Sequence, residues 1–327
     1  MLSESMQETQ KLVEHYGSSN SSETPTIWTS RDDAASFVND NVDAILFDCD
    51  GVLYRGKDLS PNASEALKAL LKNGKKCFFV TNNAAVNRKQ LQTKISDLMN
   101  CSELTEDQMV GSTYACSQYL KNNLPAGSRV HVVGSEGLCD EIRATGFAVS
   151  GGLCEDDPAA MSREELADYA FPEDPVDAVC VGLDTSFSYR KLAIANVLLQ
   201  RNPNAVLIST NQDSFDLVGA DARHLPGNGC IVKALEHGSR RTAINVGKPS
   251  SVLAEMIINE YNLDPARTMF VGDRLDTDIK FGKDSGMISV LVMSGVTTAE
   301  KMISLGESGT FEEPIPQIIM PFMGMLA

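Results

Sequence analysis

Short apolar runs that end abruptly at a polar residue or a glycine constrain this chain more than any other feature. Residues 42–47 stop at Asp48, residues 77–80 at Thr81-Asn82-Asn83, and residues 242–246 at Gly247-Lys248-Pro249. Residues 268–271 stop at Gly272-Asp273, and residues 288–293 at Ser294-Gly295. Periodicity alone does not assign such runs, but their length and flanking turn residues favour buried strands. Helix signals separate them. Ser60 as a cap with Pro61 at the first helical position predicts a helix with Leu67, Leu70 and Leu71 on one face, stopping near Gly74. Further helices are expected over residues 251–261 and 278–283. Strands alternating with helices predict a mostly parallel sheet covered on both faces, and that covering explains why the runs are continuously apolar.

The middle of the chain repeats this grammar. Residues 129–133, 177–183 and 205–209 read as strands, with helices after Gly134-Ser135 and over 189–201 and 231–237. An acidic patch at residues 155–157 precedes a capping box, Ser162 to Glu165. The expected fold is therefore α/β: a doubly wound, mostly parallel, Rossmann-like core sheet with an inserted α/β domain. The core is assigned to residues 41–123 plus 241–327 and the insertion to residues 124–240. Residues 1–40, with a polar stretch at 17–22, read as a flexible lead-in.

A length of 327 residues suits two domains at ~150 residues each. Lys+Arg is 28 against Asp+Glu 44, a formal net charge of −16, so neither a nucleic acid nor an anionic membrane surface is expected as partner. No apolar run approaches the ~20 residues that span a bilayer. The first 30 residues carry Glu4, Glu8, Glu14 and Glu23 and no apolar stretch, unlike a secretory leader or an Arg-rich transit peptide. The eight cysteines form no C-x-x-C pair, which favours reduced thiols and a cytoplasmic location.

In open α/β sheets, ligands bind beyond the carboxyl ends of the strands. Four of the five runs deliver a chemically distinctive residue there: Asp48 with Asp50, Thr81, Lys248 and Asp273. Residues two apart in an extended segment point the same way, so Asp48 and Asp50 must share a cation or keep a proton. Mg²⁺ would resolve the repulsion, with Asp273 as a third carboxylate. Lys248 makes sense beside metal plus phosphate, and Thr81 with the amides near Asn82-Asn83 can donate to phosphate oxygens. Taken singly, each is ordinary: a turn, a surface lysine, a polar loop. All four would have to be ordinary together to defeat the reading of one site. Asp278 is expected to touch that site and Asp276 to face solvent.

Phe47-Asp48-Cys49-Asp50-Gly51-Val52, Thr81-Asn82-Asn83, Gly247-Lys248-Pro249-Ser250 and Gly272-Asp273-Arg274-Leu275-Asp276-Thr277-Asp278 resemble, in order, the four motifs of the haloacid dehalogenase superfamily. The resemblance covers nearly everything after residue 40. It is narrowest to the p-nitrophenylphosphatase group, which includes phosphoglycolate phosphatases and pyridoxal phosphatases. It implies Asp48 as the nucleophile that forms an aspartyl-phosphate and Asp50 as the general acid and then base. It implies Mg²⁺ held by Asp48, the Asp50 carbonyl and Asp273. Thr81, Asn82, Asn83 and Lys248 would hold the phosphoryl group, with Asp278 as an orienting residue. The acid at Asp50 favours a phosphatase or mutase over a dehalogenase, since halide leaves without a proton. The long insertion between Thr81 and Lys248 matches the large cap of this group, through which relatives often form homodimers.

Substrate choice is expected in the loop that begins Ser209-Thr210-Asn211-Gln212-Asp213-Ser214-Phe215-Asp216, with Asn211, Asp213 and Asp216 as candidate specificity residues. In pyridoxal phosphatases the comparable loop carries a histidine where Asp216 stands here. The best guess is therefore a phosphatase for small phosphorylated metabolites, 2-phosphoglycolate first. The alternative is pyridoxal 5′-phosphate, with His224 as a substitute ring contact, although a plain loop histidine is the favoured reading. A non-catalytic binding protein on the same fold ranks below both, because no motif residue is missing.

Overall fold

The computed structural model describes residues 2–17, 24–152, 161–218, 223–308 and 313–327. The chain divides into two compact units. The first contains Met1–Thr81, Gln92–Val110 and Lys248–Ala327; the second contains Asn82–Leu91 and Gly111–Gly247.

The first unit is built on a seven-stranded sheet. Its order is Thr26–Ile27, Ile318–Met320, Ile288–Val292, Thr268–Gly272, Ala44–Phe47, Lys76–Thr81 and Met109–Gly111. The first six strands pair parallel throughout. From Ala44–Phe47 the chain first adds strands on one side, then returns to add Thr268–Gly272 on the other. The order therefore reverses between these two strands, the place where open α/β sheets leave a crevice. Every residue of Ala44–Phe47 and of Thr268–Gly272 is buried, as a sheet covered on both faces requires.

The second unit holds a five-stranded parallel sheet in the order Ile244–Asn245, Val206–Ser209, Ala178–Val181, Arg129–Val133, Ala148–Gly151. Helices Tyr189–Arg201 and Asn228–Ser239 pack Ile194, Leu198, Val232 and Leu235 onto its central strands. A hairpin pairs Phe215–Val218 with Arg223–Pro226 antiparallel.

Three sequence expectations are corrected. Residues 1–40 are largely folded. Helix Leu2–Tyr16 buries Leu12 against Leu275, Ile279, Leu291 and Met302; Thr26–Ile27 forms an edge strand, and helix Arg31–Asn41 is capped by Ser30. The polar stretch 17–22 lies outside the described residues apart from Gly17, and the acidic patch 155–157 lies outside them entirely. Second, the insertion is wider than 124–240. Helix Ser112–Asn123 packs on helix Glu136–Ala144, and the run 242–246 pairs with Val206–Ser209 in the second sheet, Ile208 opposite Ile244. An apolar run records that a strand is buried, and leaves open which sheet buries it. Third, the helix expected to start at Pro61 begins at Ala63, after Asn62 in the left-handed region (φ +53°).

The apolar C-terminal tail also has a place. Ile318–Met320 joins the sheet, and Met323–Leu326 packs on helices Ala63–Lys72 and Arg31–Asn41. Leu12→Ala should lower the stability of the first unit by about 2–4 kcal/mol, because it opens a cavity under Leu275 and Ile279. Leu2→Ala, at an exposed position, should stay within about 0.5 kcal/mol. Denaturant titration of both variants checks the contrast, and equal losses would contradict it.

Candidate active site

Strand ends deliver the first two carboxylates. Asp48 directly follows Ala44–Phe47, and its N–H donates to the carbonyl of Val271 (2.9 Å), which extends the ladder by one residue. Asp273 directly follows Thr268–Gly272 on the neighbouring strand. The turn after the next strand clamps it: the Val296 N–H donates to Asp273 Oδ2 (2.8 Å), and the Thr297 hydroxyl donates to its carbonyl (2.6 Å). Gly51 comes so close that any side chain there would collide with the Asp273 carboxylate, and its φ of +86° suits glycine alone.

Asp278 is placed by a single π-helical turn, Leu275–Ile279, a local form often found at functional sites. The turn folds the carboxylate back, so that Asp278 Oδ2 accepts from the N–H groups of Asp273 (3.0 Å) and Arg274 (3.1 Å). Its other oxygen accepts from Lys248 Nζ at 2.7 Å. Lys248 is buried and also donates to Asp48 Oδ1 at 2.5 Å. Asp276 points elsewhere and pairs with Arg274 at 3.0 Å.

Oxygens of Asp48, Asp273 and Asp278 lie within 4.8 Å of one another, all three residues buried. Burial pushes the Asp48 carboxyl up to about 7; Lys248 pulls it down, and Asp278 and Asp50 push it further up. Burial, followed by Asp278 and Asp48, holds Asp273 well above the usual carboxylate range. Burial alone would lower the Lys248 ammonium, but Asp278 and Asp48 outweigh it and keep the lysine charged. Three acids facing one ammonium cannot all ionise without leaving negative charge uncompensated. An all-oxygen donor set of this kind fits a hard divalent cation. Asp278 already engages Lys248 and two amides, so Asp48 and Asp273 are the carboxylates better placed to take an ion.

Asp50 stands on the exposed side of this cluster. The atoms crowded round its carboxyl raise its pKa, against the pull of Lys94 and Lys248. Two residues near it carried no sequence signal. The Tyr54 hydroxyl lies 3.5 Å from Asp50 Oδ2, and Lys94 Nζ donates to that hydroxyl at 2.8 Å.

Thr81 ends its strand and is buried, whereas Asn82 and Asn83 open the second unit. The side chain of Asn82 donates to Asp213, and Asn83 Oδ1 accepts from the N–H of Ala85 (2.9 Å). Asn211 is buried and donates to the carbonyl of Asn82 (2.7 Å). Asp216 lies farther along on the hairpin, opposite Leu225. His224 is on the facing strand rather than in a loop, its ring stacked on Phe215 with centroids 4.2 Å apart. The structure thus gathers Asp48, Lys248, Asp273 and Asp278 in one cluster and Asn82, Asn211 and Asp213 in another.

Folded Asp48 and Asp273 keep their protons to higher pH than unfolded carboxyls near 3.8. Between that value and about 7 the folded state binds more protons, so this cluster makes stability fall as pH rises. In chelator, the thermal midpoint should therefore drop from about pH 5 to about pH 8, and drop less in Asp273→Asn. The same drop in both proteins would contradict this account.

Known proteins resemble this chain. A family model described as haloacid dehalogenase-like hydrolase matches residues 45–148, and a second, HAD-hydrolase-like, matches residues 245–311. The chain is 36% identical to phosphoglycolate phosphatase 2 of Arabidopsis thaliana, over 82% of this chain and 88% of that one. It is 40% identical to the glycerol-3-phosphate phosphatase of Gallus gallus (84% and 87% covered) and 39% identical to Homo sapiens chronophin (79% and 83%). Among solved structures it resembles the p-nitrophenyl phosphatase of Archaeoglobus fulgidus, with TM-score 0.72, 26% identity, and 88% and 98% of the two chains covered. It also resembles a Mycobacterium tuberculosis glycerol phosphate phosphatase in complex with magnesium, with TM-score 0.69, 26% identity, and 88% and 77% covered. The chain belongs to the haloacid dehalogenase-like hydrolase family.

Proposed function

We propose that this phosphoric monoester hydrolase cleaves small phosphorylated metabolites through Asp48, with Mg²⁺ as cofactor and 2-phosphoglycolate as the leading substrate. The observation that carries the reading is the convergence of Asp48, Lys248, Asp273 and Asp278 at one buried point. In the first step a carboxylate oxygen of Asp48 bonds to phosphorus as the bond to the leaving oxygen breaks. Asp50 gives its proton to that oxygen, a role its raised pKa supports. In the second step Asp50 takes a proton from water, the water oxygen bonds to phosphorus, and Asp48 is released. Lys248, Thr81 and the backbone amides at Asn82 and Asn83 stabilise charge on the phosphoryl oxygens, and Asp278 orients the lysine.

Asp48, Asp273 and the Asp50 carbonyl would hold the magnesium ion. When bound, it supplies positive charge that neutralises these carboxylates and polarises the phosphoryl group. The magnesium complex of the mycobacterial relative supports this choice. The inserted unit is read as the cap of the family, with the hairpin region around Asp216 as the source of substrate choice. A homodimer through that cap stays part of the proposal. Seven free cysteines among the described residues support a reducing compartment such as the cytoplasm, and no helix among those residues is long and apolar enough to cross a membrane.

The names of the relatives favour two- and three-carbon phosphates, 2-phosphoglycolate and glycerol 3-phosphate. One observation favours a second reading, pyridoxal 5′-phosphate: the stacked His224–Phe215 pair offers a flat aromatic face. Asp48→Asn should cut phosphate release from p-nitrophenyl phosphate by roughly 10³-fold or more at saturating Mg²⁺; parental turnover would refute the mechanism. Across the three metabolites, kcat/KM should be highest for 2-phosphoglycolate. His224→Ala should lower kcat/KM selectively for pyridoxal 5′-phosphate if the second reading holds.

A further inference from the structure

Asn82 and Gly247 are where the second unit meets the first along the chain. Each is one peptide bond from a residue of the first unit, Thr81 in one case and Lys248 in the other. Within the second unit both converge on the segment 210–213. Asn82 Nδ2 donates to both carboxylate oxygens of Asp213, at 3.0 and 3.2 Å. The Asn82 carbonyl accepts from Asn211 Nδ2 (2.7 Å) and from the Ser112 hydroxyl (3.0 Å). Asn211 Oδ1 in turn accepts from the N–H of Asp213 (3.1 Å). Gly247 is pressed against the same group: a Cβ there would strike the Thr210 carbonyl and come within 2.8 Å of Asn82 Oδ1. Asn228 closes the group from behind, donating to the Asn211 carbonyl (2.8 Å).

We infer that this knot of hydrogen bonds is a positioning device. It fixes the spacing of the two chain crossings, and thereby the alignment of Thr81 and Lys248. Asp213 is then a positioning residue that acts through Asn82, rather than a specificity residue that touches the substrate. The inference rests on the proposed reading of Thr81 and Lys248 as phosphoryl-holding groups. Three features support it. The carboxylate of Asp213 meets the amide of Asn82 with both oxygens, and a charged acceptor makes the stronger bond. The partners come from stretches about 130 residues apart, so the knot ties chain segments that nothing local would hold together. A misplacement of ~1 Å at reacting groups can cost ~10²-fold in rate.

A reciprocal exchange tests it. Asn82→Asp sets two carboxylates against each other and should lower kcat on p-nitrophenyl phosphate about 10-fold or more, with KM within about 3-fold. Asp213→Asn, which leaves two amides, should lose less. Combining the two restores a carboxylate facing an amide, and kcat should recover to within about 3-fold of the parent. A double variant no better than Asn82→Asp, with thermal midpoint unchanged, would overturn the inference and give the Asn82 side chain a role of its own. Parental kcat in Asn82→Asp would also overturn it. Should that variant fail to fold, Asp213→Ala and Asn211→Ala serve instead: each should lower kcat rather than raise KM, and parental kcat in both overturns the inference. Failure of the underlying reading shows separately, as turnover retained in Asp48→Asn.

Discussion

The buried contact of Lys248 with Asp48 and Asp278, beside Asp273, is the constraint to which the rest of the first unit answers. Taking four ionisable groups out of water is costly, and their mutual attraction offsets that cost only with accurate geometry and further hydrogen bonds. The surrounding structure supplies both. The π-helical turn aims Asp278 at the lysine while two amides bind its second oxygen, and the turn after Ile288–Val292 sends the Val296 amide to Asp273. Gly51 removes the side chain that would otherwise displace Asp273. Even so three carboxyl groups face one ammonium, and the raised pKa values of Asp48 and Asp273 express that imbalance. A buried cluster with more carboxyl groups than ammonium groups, at the switch point of the sheet, fits a hard cation better than it serves stability.

Much of this was legible in the sequence. The parallel sheet followed from uninterrupted apolar runs, and the cluster from the residues that end them: Asp48, Lys248 and Asp273 lie at or just beyond strand ends. Asp278 contacts Lys248, whereas Asp276 pairs with Arg274. What escaped was information held by partners rather than by local pattern. The run 242–246 has the apolar character of a core strand, yet Ile244–Asn245 finds its neighbour in Val206–Ser209. The first helix is too polar to announce burial, but Leu12 fills a space beneath Leu275. Tyr54 and Lys94 are 40 residues apart and meet only after folding. Asn82 and Asp213, read as a phosphate contact and a specificity residue, turn out to engage each other.

The two clusters divide the labour in a way the linear motifs conceal. One collects charge: Asp48 and Asp273 follow strands of the first unit, Asp278 comes from its π-helical turn, and Lys248 opens its last segment. The other collects amides, with Asp213 as its carboxylate, and lies where the second unit joins the chain to Thr81 and Lys248. Thr81-Asn82 therefore belongs half to each: the hydroxyl residue ends a core strand, while its neighbour is bound into the insertion.

The separation of 200 residues between Asp48 and Lys248 has a consequence for biosynthesis. Domains emerging from the ribosome tend to fold in order from the N-terminus, but here Asp48 is translated long before the lysine that contacts it. The strand carrying Asp48 also awaits Thr268–Gly272 as its neighbour on one side. A nascent chain therefore carries Asp48 without its partners until the whole insertion has been made, and the cluster is completed only in the last quarter of translation.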